Sequence, residues 1–103
     1  MFWAIHCLDR PGTAALRAAA RPEHSARLRS GTGPRPVFYG PLVADDGTTA
    51  IGSLIVVEAG TREEVADWVA GDPFTTEGVW ERADINALLP SQNAPVRLTT
   101  PAP

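Results

Sequence analysis

The chain has 103 residues, a net charge of -3, and 44% hydrophobic against 20% charged residues, which fits one soluble globular core and gives no footprint for nucleic acid. Its single cysteine, Cys7, excludes an internal disulfide framework and a thiolate metal centre, so a reducing cytoplasm is the expected compartment. Met1 to Leu8 is apolar but has no basic leader and meets Asp9 too soon for a signal peptide or a membrane span, so no membrane partner is expected.

Phe2 to Leu8 alternates aromatic and β-branched residues up to a turn at Asp9 to Gly12, and this predicts a mostly buried first strand with Cys7 in the core. Thr13 is placed to cap a helix of strong helix formers from Ala14 to Ala20, with a break expected before Pro22. Proline suits the first position of a helix, so the helix is predicted to restart there and to carry His24 in its new first turn. Free N–H groups at such a turn favour bound anions and oppose a charged imidazole. On this second segment Pro22, Ala26 and Leu28 are expected toward a sheet, while His24, Arg27 and Ser30 fall three apart on another face. Gly31, Gly33, Pro34 and Pro36 end the helix.

Val37 to Val43 and Ile51 to Glu58 read as two strands joined by an Asp45-Asp46-Gly47 turn. The second is apolar almost throughout, which implies two covered faces. Thr61 and Glu64 have capping-box spacing, and Val65, Trp68 and Val69 follow at helical period until Gly71. Asp72 is expected to cap a single turn that has Pro73 at its first position. Val79 to Ala87 reads as a fourth strand with Val79, Ala83, Ile85 and Ala87 facing in and Trp80, Arg82, Asp84 and Asn86 facing out, and an outward Trp80 suggests a partner. The expected organisation is one domain over residues 1–89 and a Pro-rich, weakly held tail over 90–103.

The order strand, helix, strand, strand, helix, strand is the α+β, ferredoxin-like βαββαβ arrangement, an antiparallel four-stranded sheet with both helices on one face. About 100 residues cannot leave the other apolar face in water, so a homodimer in which two sheets face each other as a dimeric α+β barrel is expected.

With that order in place, the sequence resembles the YciI-like (YCII-related) family. The resemblance rests on Arg21-Pro22-x-His24-x-Ala26-Arg27-Leu28, Gly40-Pro41-Leu42, Gly52-Ser53, and Asp72-Pro73-Phe74 followed by Gly78-Val79. It implies the dimeric barrel and a histidine and an aspartate lining a cleft, which fall on His24 and Asp72. Ser53, from the matched Gly-Ser, becomes a further cleft candidate. The chain departs from the family in its short, glycine-rich exit after Leu28 and in the bulky Tyr39 before Gly40.

The function expected on this basis is cofactor-free proton transfer, of lyase or isomerase type, on a small cyclic or enolisable molecule. His24 moves the proton, Asp72 supports the imidazolium, and Arg21 or Arg27 balances an anionic group. One histidine and one aspartate do not make a metal site, and His6 lies on a strand distant in sequence, so neither metal nor cofactor is expected. The alternative is a non-catalytic metabolite-binding or accessory dimerisation module that uses the same cleft.

Overall fold

The computed structural model describes residues 1–98 of the chain. In order it runs β1 (Phe2–Asp9), α1 (Ala14–Leu28), β2 (Arg35–Val43), β3 (Ala50–Glu58), α2 (Arg62–Ala70), the short α3 (Pro73–Thr76) and β4 (Trp80–Leu88). The strands form one antiparallel sheet in the order β2-β3-β1-β4. Residues 99–103, including Pro101 and Pro103 of the expected tail, lie outside the described residues. Between Leu89 and Leu98 there is neither helix nor strand.

Alternation on the central strands decides which face is covered. Trp3, Ile5 and Cys7 of β1 and Ile55 and Val57 of β3 point into one core with Ala20 and Leu28 of α1, Val65, Trp68 and Val69 of α2, and Phe74. Burying each large aliphatic side chain there contributes roughly 1.5–3 kcal/mol. Val56, on the opposite face of β3, is buried but stands outside that cluster. Pairing brings Phe38, Val56 and Ala4 into one row of this second face and Gly40, Leu54 and His6 into the next. Phe38 and Leu8 are exposed. The α+β, ferredoxin-like architecture is therefore the one expected.

Four local expectations are corrected. Helix α1 runs unbroken through Pro22, so His24 stands in its third turn and not in a first one. A proline inside a helix costs about 3 kcal/mol, yet Pro22 is exposed while Ala20, His24 and Leu28, four residues apart, are buried against the sheet. Burial of Leu28 alone recovers a cost of that order. Ala26 is exposed, so the face toward the sheet is that of Ala20, His24 and Leu28, not Pro22 and Ala26. Thr13 does not cap the helix with its side chain; its hydroxyl instead donates to the Arg10 carbonyl at 2.6 Å.

The fourth concerns Trp80, which is buried at 7% exposure and does not face outward. Cys7 pairs with Ala83 and Leu8 with Arg82, but Asp9 pairs with Trp80, a register shift that skips Glu81. One extra residue in a strand moves every later side chain to the opposite face, so Trp80 turns inward. Further along β4, Ala83 and Ala87 pair with Cys7 and Trp3 and so share the core-side face as expected, but both are exposed there.

Candidate functional site

Gly71 closes α2, and Asp72 opens α3. Its extended backbone (φ -70, ψ 139) and its side chain, which accepts from the Phe74 N–H at 2.9 Å, make it the cap of the short helix. Pro73 at the first helical position leaves no N–H to satisfy. Gly78, at φ +77, then reverses the chain, and the Val79 N–H donates to the Phe74 carbonyl. These local signals fix Asp72 and Phe74 under α1, and Asp72 is fully buried.

His24 meets that carboxylate from α1. Its Nδ1 lies 2.8 Å from Oδ1 and 2.9 Å from Oδ2 of Asp72. Arg27 donates from Nη1 to Oδ2 at 3.2 Å and from Nη2 to the Trp68 carbonyl at 2.5 Å, with its guanidinium 4.8 Å from the Trp68 ring centre. Asp72 thus receives three donors, His24, Arg27 and the Phe74 amide, and serves as acceptor to all of them. Nδ1 of His24 must then carry a proton, so Nε2 is the basic nitrogen of the neutral ring. No buried side-chain nitrogen or oxygen among the described residues lacks a partner, and Nε2 has no protein partner, which sets it on an accessible edge.

Aromatic packing holds the ring in one plane. Phe74 stacks on His24 at 4.0 Å with 15° between planes, and Trp80 meets it edge-on at 5.7 Å. Phe74 and Trp80 meet edge-on in turn at 5.6 Å. The inward turn of Trp80 at the β4 bulge is what completes this clamp.

His24 borders a cleft of about 550 Å³ between α1 and the β2–β3 hairpin, a size that suits a small organic molecule. Arg17, Arg21 and His24 line one side, Tyr39, Thr48 and Thr49 the other, and Ser53, Ile55 and Phe74 are also part of the wall. No carboxylate is among the lining residues. The hairpin that brings Thr48 and Thr49 there is closed by Asp46, whose carboxylate accepts from both of their amides at 2.9 Å and from the Thr49 hydroxyl. Those hydrogen bonds, the Thr49 hydroxyl first, hold the Asp46 carboxyl down at about 2. A smaller hollow of about 240 Å³, beside Leu16, Ala19 and Ala20, offers only Glu23 and Glu77 as charged groups.

Of the residues singled out in the sequence, His24, Arg21 and Ser53 line the cleft, and Asp72 stands behind His24. Arg27 does not line it; its guanidinium is held by Asp72 and the Trp68 carbonyl. Arg21 has no ion pair or hydrogen bond among the described residues, which leaves its charge at the cleft. Cys7 is buried, and burial, with Asp72, Asp9 and Asp84 nearby, pushes its thiol up to about 12. Among the described residues no cluster of three or more His, Cys, Asp or Glu side chains is arranged to hold a metal ion, and no helix is long and apolar enough to cross a membrane.

Arg17 was not singled out in the sequence, yet it has the most partners in the cleft. Nη1 donates to both Asp9 oxygens at 2.8 Å, Nη2 donates to the Gly52 carbonyl at 3.0 Å and to Ser53 Oγ at 3.1 Å, and the guanidinium lies 4.7 Å from the Phe74 ring centre. Gly52 is required beside it, because a Cβ there would fall 2.2 Å from the Cys7 carbonyl oxygen. The available signal was spacing: Arg17 stands seven residues, two helical turns, before His24. A helix broken at Pro22 hides that relation.

Comparison with known proteins accords with this fold. The YCII-related domain family matches residues 1–88. The chain belongs to that family. This YCII-related chain is 30% identical over 88 residues to an uncharacterized protein of Haemophilus influenzae, a match over 78% of this chain and 88% of that one. It is also similar, with a TM-score of 0.78 and 26% identity, to 5-chloro-2-hydroxyhydroquinone dehydrochlorinase of Burkholderia phenoliruptrix in complex with 2,5-dihydroxybenzoquinone, over 89% of this chain and 97% of the enzyme. A protein of Agrobacterium tumefaciens, at TM-score 0.54 and 13% identity over 94% of this chain and all of that one, shares the fold.

Proposed function

We propose that this YCII-related protein is a cofactor-free enzyme of lyase or isomerase type that moves a proton on a small cyclic or enolisable substrate. The observation that carries the reading is the His24–Asp72 pair, which ties up Nδ1 of a ring that lines a ligand-sized cleft and leaves Nε2 as its basic nitrogen. Nε2 accepts a proton from a carbon next to a carbonyl or from a ring hydroxyl, and the bonding pair left behind moves into the carbonyl system. Where the neighbouring carbon carries chloride, that pair expels it, and the net change is loss of HCl. Asp72 supports the imidazolium, Arg27 holds Asp72 in place, and Arg21 balances an anionic group on the substrate. The dehydrochlorinase with its bound dihydroxybenzoquinone supports a ring-sized, oxygen-rich substrate.

The same reading includes a homodimer in the cytoplasm, where Cys7 stays reduced. Support for the dimer comes from the uncovered sheet face, where Phe38 is 53% and Leu8 39% exposed, since exposed apolar patches of this kind mark interfaces.

Chloride release from 5-chloro-2-hydroxyhydroquinone tests the reaction. The wild type is expected to turn it over, and His24→Gln to lower kcat by about 10²- to 10⁴-fold with KM changed only a few-fold. Binding without turnover in the wild type, with His24→Gln losing affinity alone, would identify a metabolite-binding module in place of an enzyme.

A further inference from the structure

Ser53 is 3% exposed and lines the cleft, and two donors converge on its hydroxyl oxygen. Arg17 Nη2 donates at 3.1 Å and the Trp80 indole Nε1 at 3.4 Å. A serine oxygen has two lone pairs and one proton around its bond to Cβ, so both lone pairs are taken and only the proton remains. Among the described residues that proton has no acceptor. We propose that Ser53 is a directed hydrogen-bond donor to the substrate, and that the position beside it selects a carbonyl or enolate oxygen over any group that would itself need to donate.

The assignment rests on the proposed proton transfer and adds the place where charge develops. As His24 takes a proton, the C–H pair becomes a C=C bond and the carbonyl π pair moves onto oxygen. Ser53 donates to that oxygen, and its O–H is polarised by the Arg17 guanidinium behind it. Asp9 holds Arg17 by both carboxylate oxygens, so Arg17 is fixed toward Ser53 and does not enter the cleft as a free cation. Trp80 ties the two halves together, since its ring packs edge-on against His24 while its N–H fixes Ser53.

The probe is 2,5-dihydroxybenzoquinone, with affinity read by titration calorimetry and the C=O stretch of the bound molecule by difference infrared spectroscopy. Ser53→Ala is expected to weaken binding roughly three- to tenfold and to return the carbonyl stretch toward its higher, unbonded frequency, while Ser53→Thr keeps both close to wild type. Ser53→Cys, a weaker donor of similar size, is expected to give an intermediate stretch and serves if the alanine variant does not fold. Equal affinity and an unmoved carbonyl stretch in the Ala or Cys variant would overturn the Ser53 assignment while leaving the His24 reaction standing. No binding by the wild type would overturn the substrate class and the assignment together.

Discussion

At Asp72 one buried carboxylate serves an imidazole, a guanidinium and a backbone amide, and its removal leaves the imidazole and the amide without that acceptor while Arg27 keeps only the Trp68 carbonyl. Removing one member of a buried charged network typically costs 3–5 kcal/mol. Arg27 is 25% exposed and can recover water as a partner, so Asp72→Ala is expected to destabilise the protein by about 3 kcal/mol in urea unfolding at pH 7. A change under about 1 kcal/mol would mean that Asp72 is a cap and little more. His24 and Asp72 were both legible in the sequence, Asp72 from its place before Pro73 and His24 from the family block around it. Arg17 was not. Its partners, Asp9, Gly52 and Ser53, come from two other strands, and nothing local in sequence announces such a convergence.

Among the elements, α1 shows why local propensity misled. Proline, read alone, ends a helix; here the run of Ala20, His24 and Leu28 on the sheet side outweighs it, and Pro22 is left on the solvent side. The bulge in β4 is a second case, since a one-residue shift leaves no mark in the alternation pattern and yet decides whether Trp80 faces water or His24. The β2–β3 hairpin was legible because its turn chemistry is local, and it supplies a pH test. Asp46 is held down at about 2 from an ordinary value of 3.8 by its hydrogen bonds to Thr49 and Thr48. A carboxyl whose folded value is depressed stabilises the fold fully above its unfolded value and loses that contribution as pH falls through the folded one. Asp46→Ala should therefore lower the melting temperature at pH 7, with the gap to wild type closing between about pH 4 and pH 2. A gap that stays constant with pH would show that the hairpin does not depend on the ionised side chain. The variant should also loosen the wall formed by Thr48 and Thr49.

For the whole molecule, the strand and helix order sufficed for the ferredoxin-like sheet, because the alternation of the strands and the turns between elements are local signals. Beyond Arg21, His24 and Ser53, the lining of the cleft, Arg17 included, was not legible, since it depends on how α1 is rotated against the sheet. The sheet face with exposed Phe38 and Leu8 and half-buried Leu54 leads to the expectation of a particle of about twice 10.9 kDa by light scattering at micromolar concentration. A stable particle of 10.9 kDa would remove the barrel. Truncation after residue 89 is expected to leave both that mass ratio and the melting temperature unchanged, because the domain is proposed to end there.

Everything proposed for the cleft depends on Asp72 fixing the proton of His24 on Nδ1, so that Nε2 is the nitrogen free to act. Nitrogen-15 NMR of the His24 ring tests it without knowledge of the substrate, because the two nitrogens of a neutral imidazole differ strongly according to which one carries hydrogen. The neutral ring of the wild type is expected to show a protonated Nδ1 and a bare Nε2, with the preference weakened in Asp72→Asn. A neutral ring that carries its proton on Nε2 would contradict it.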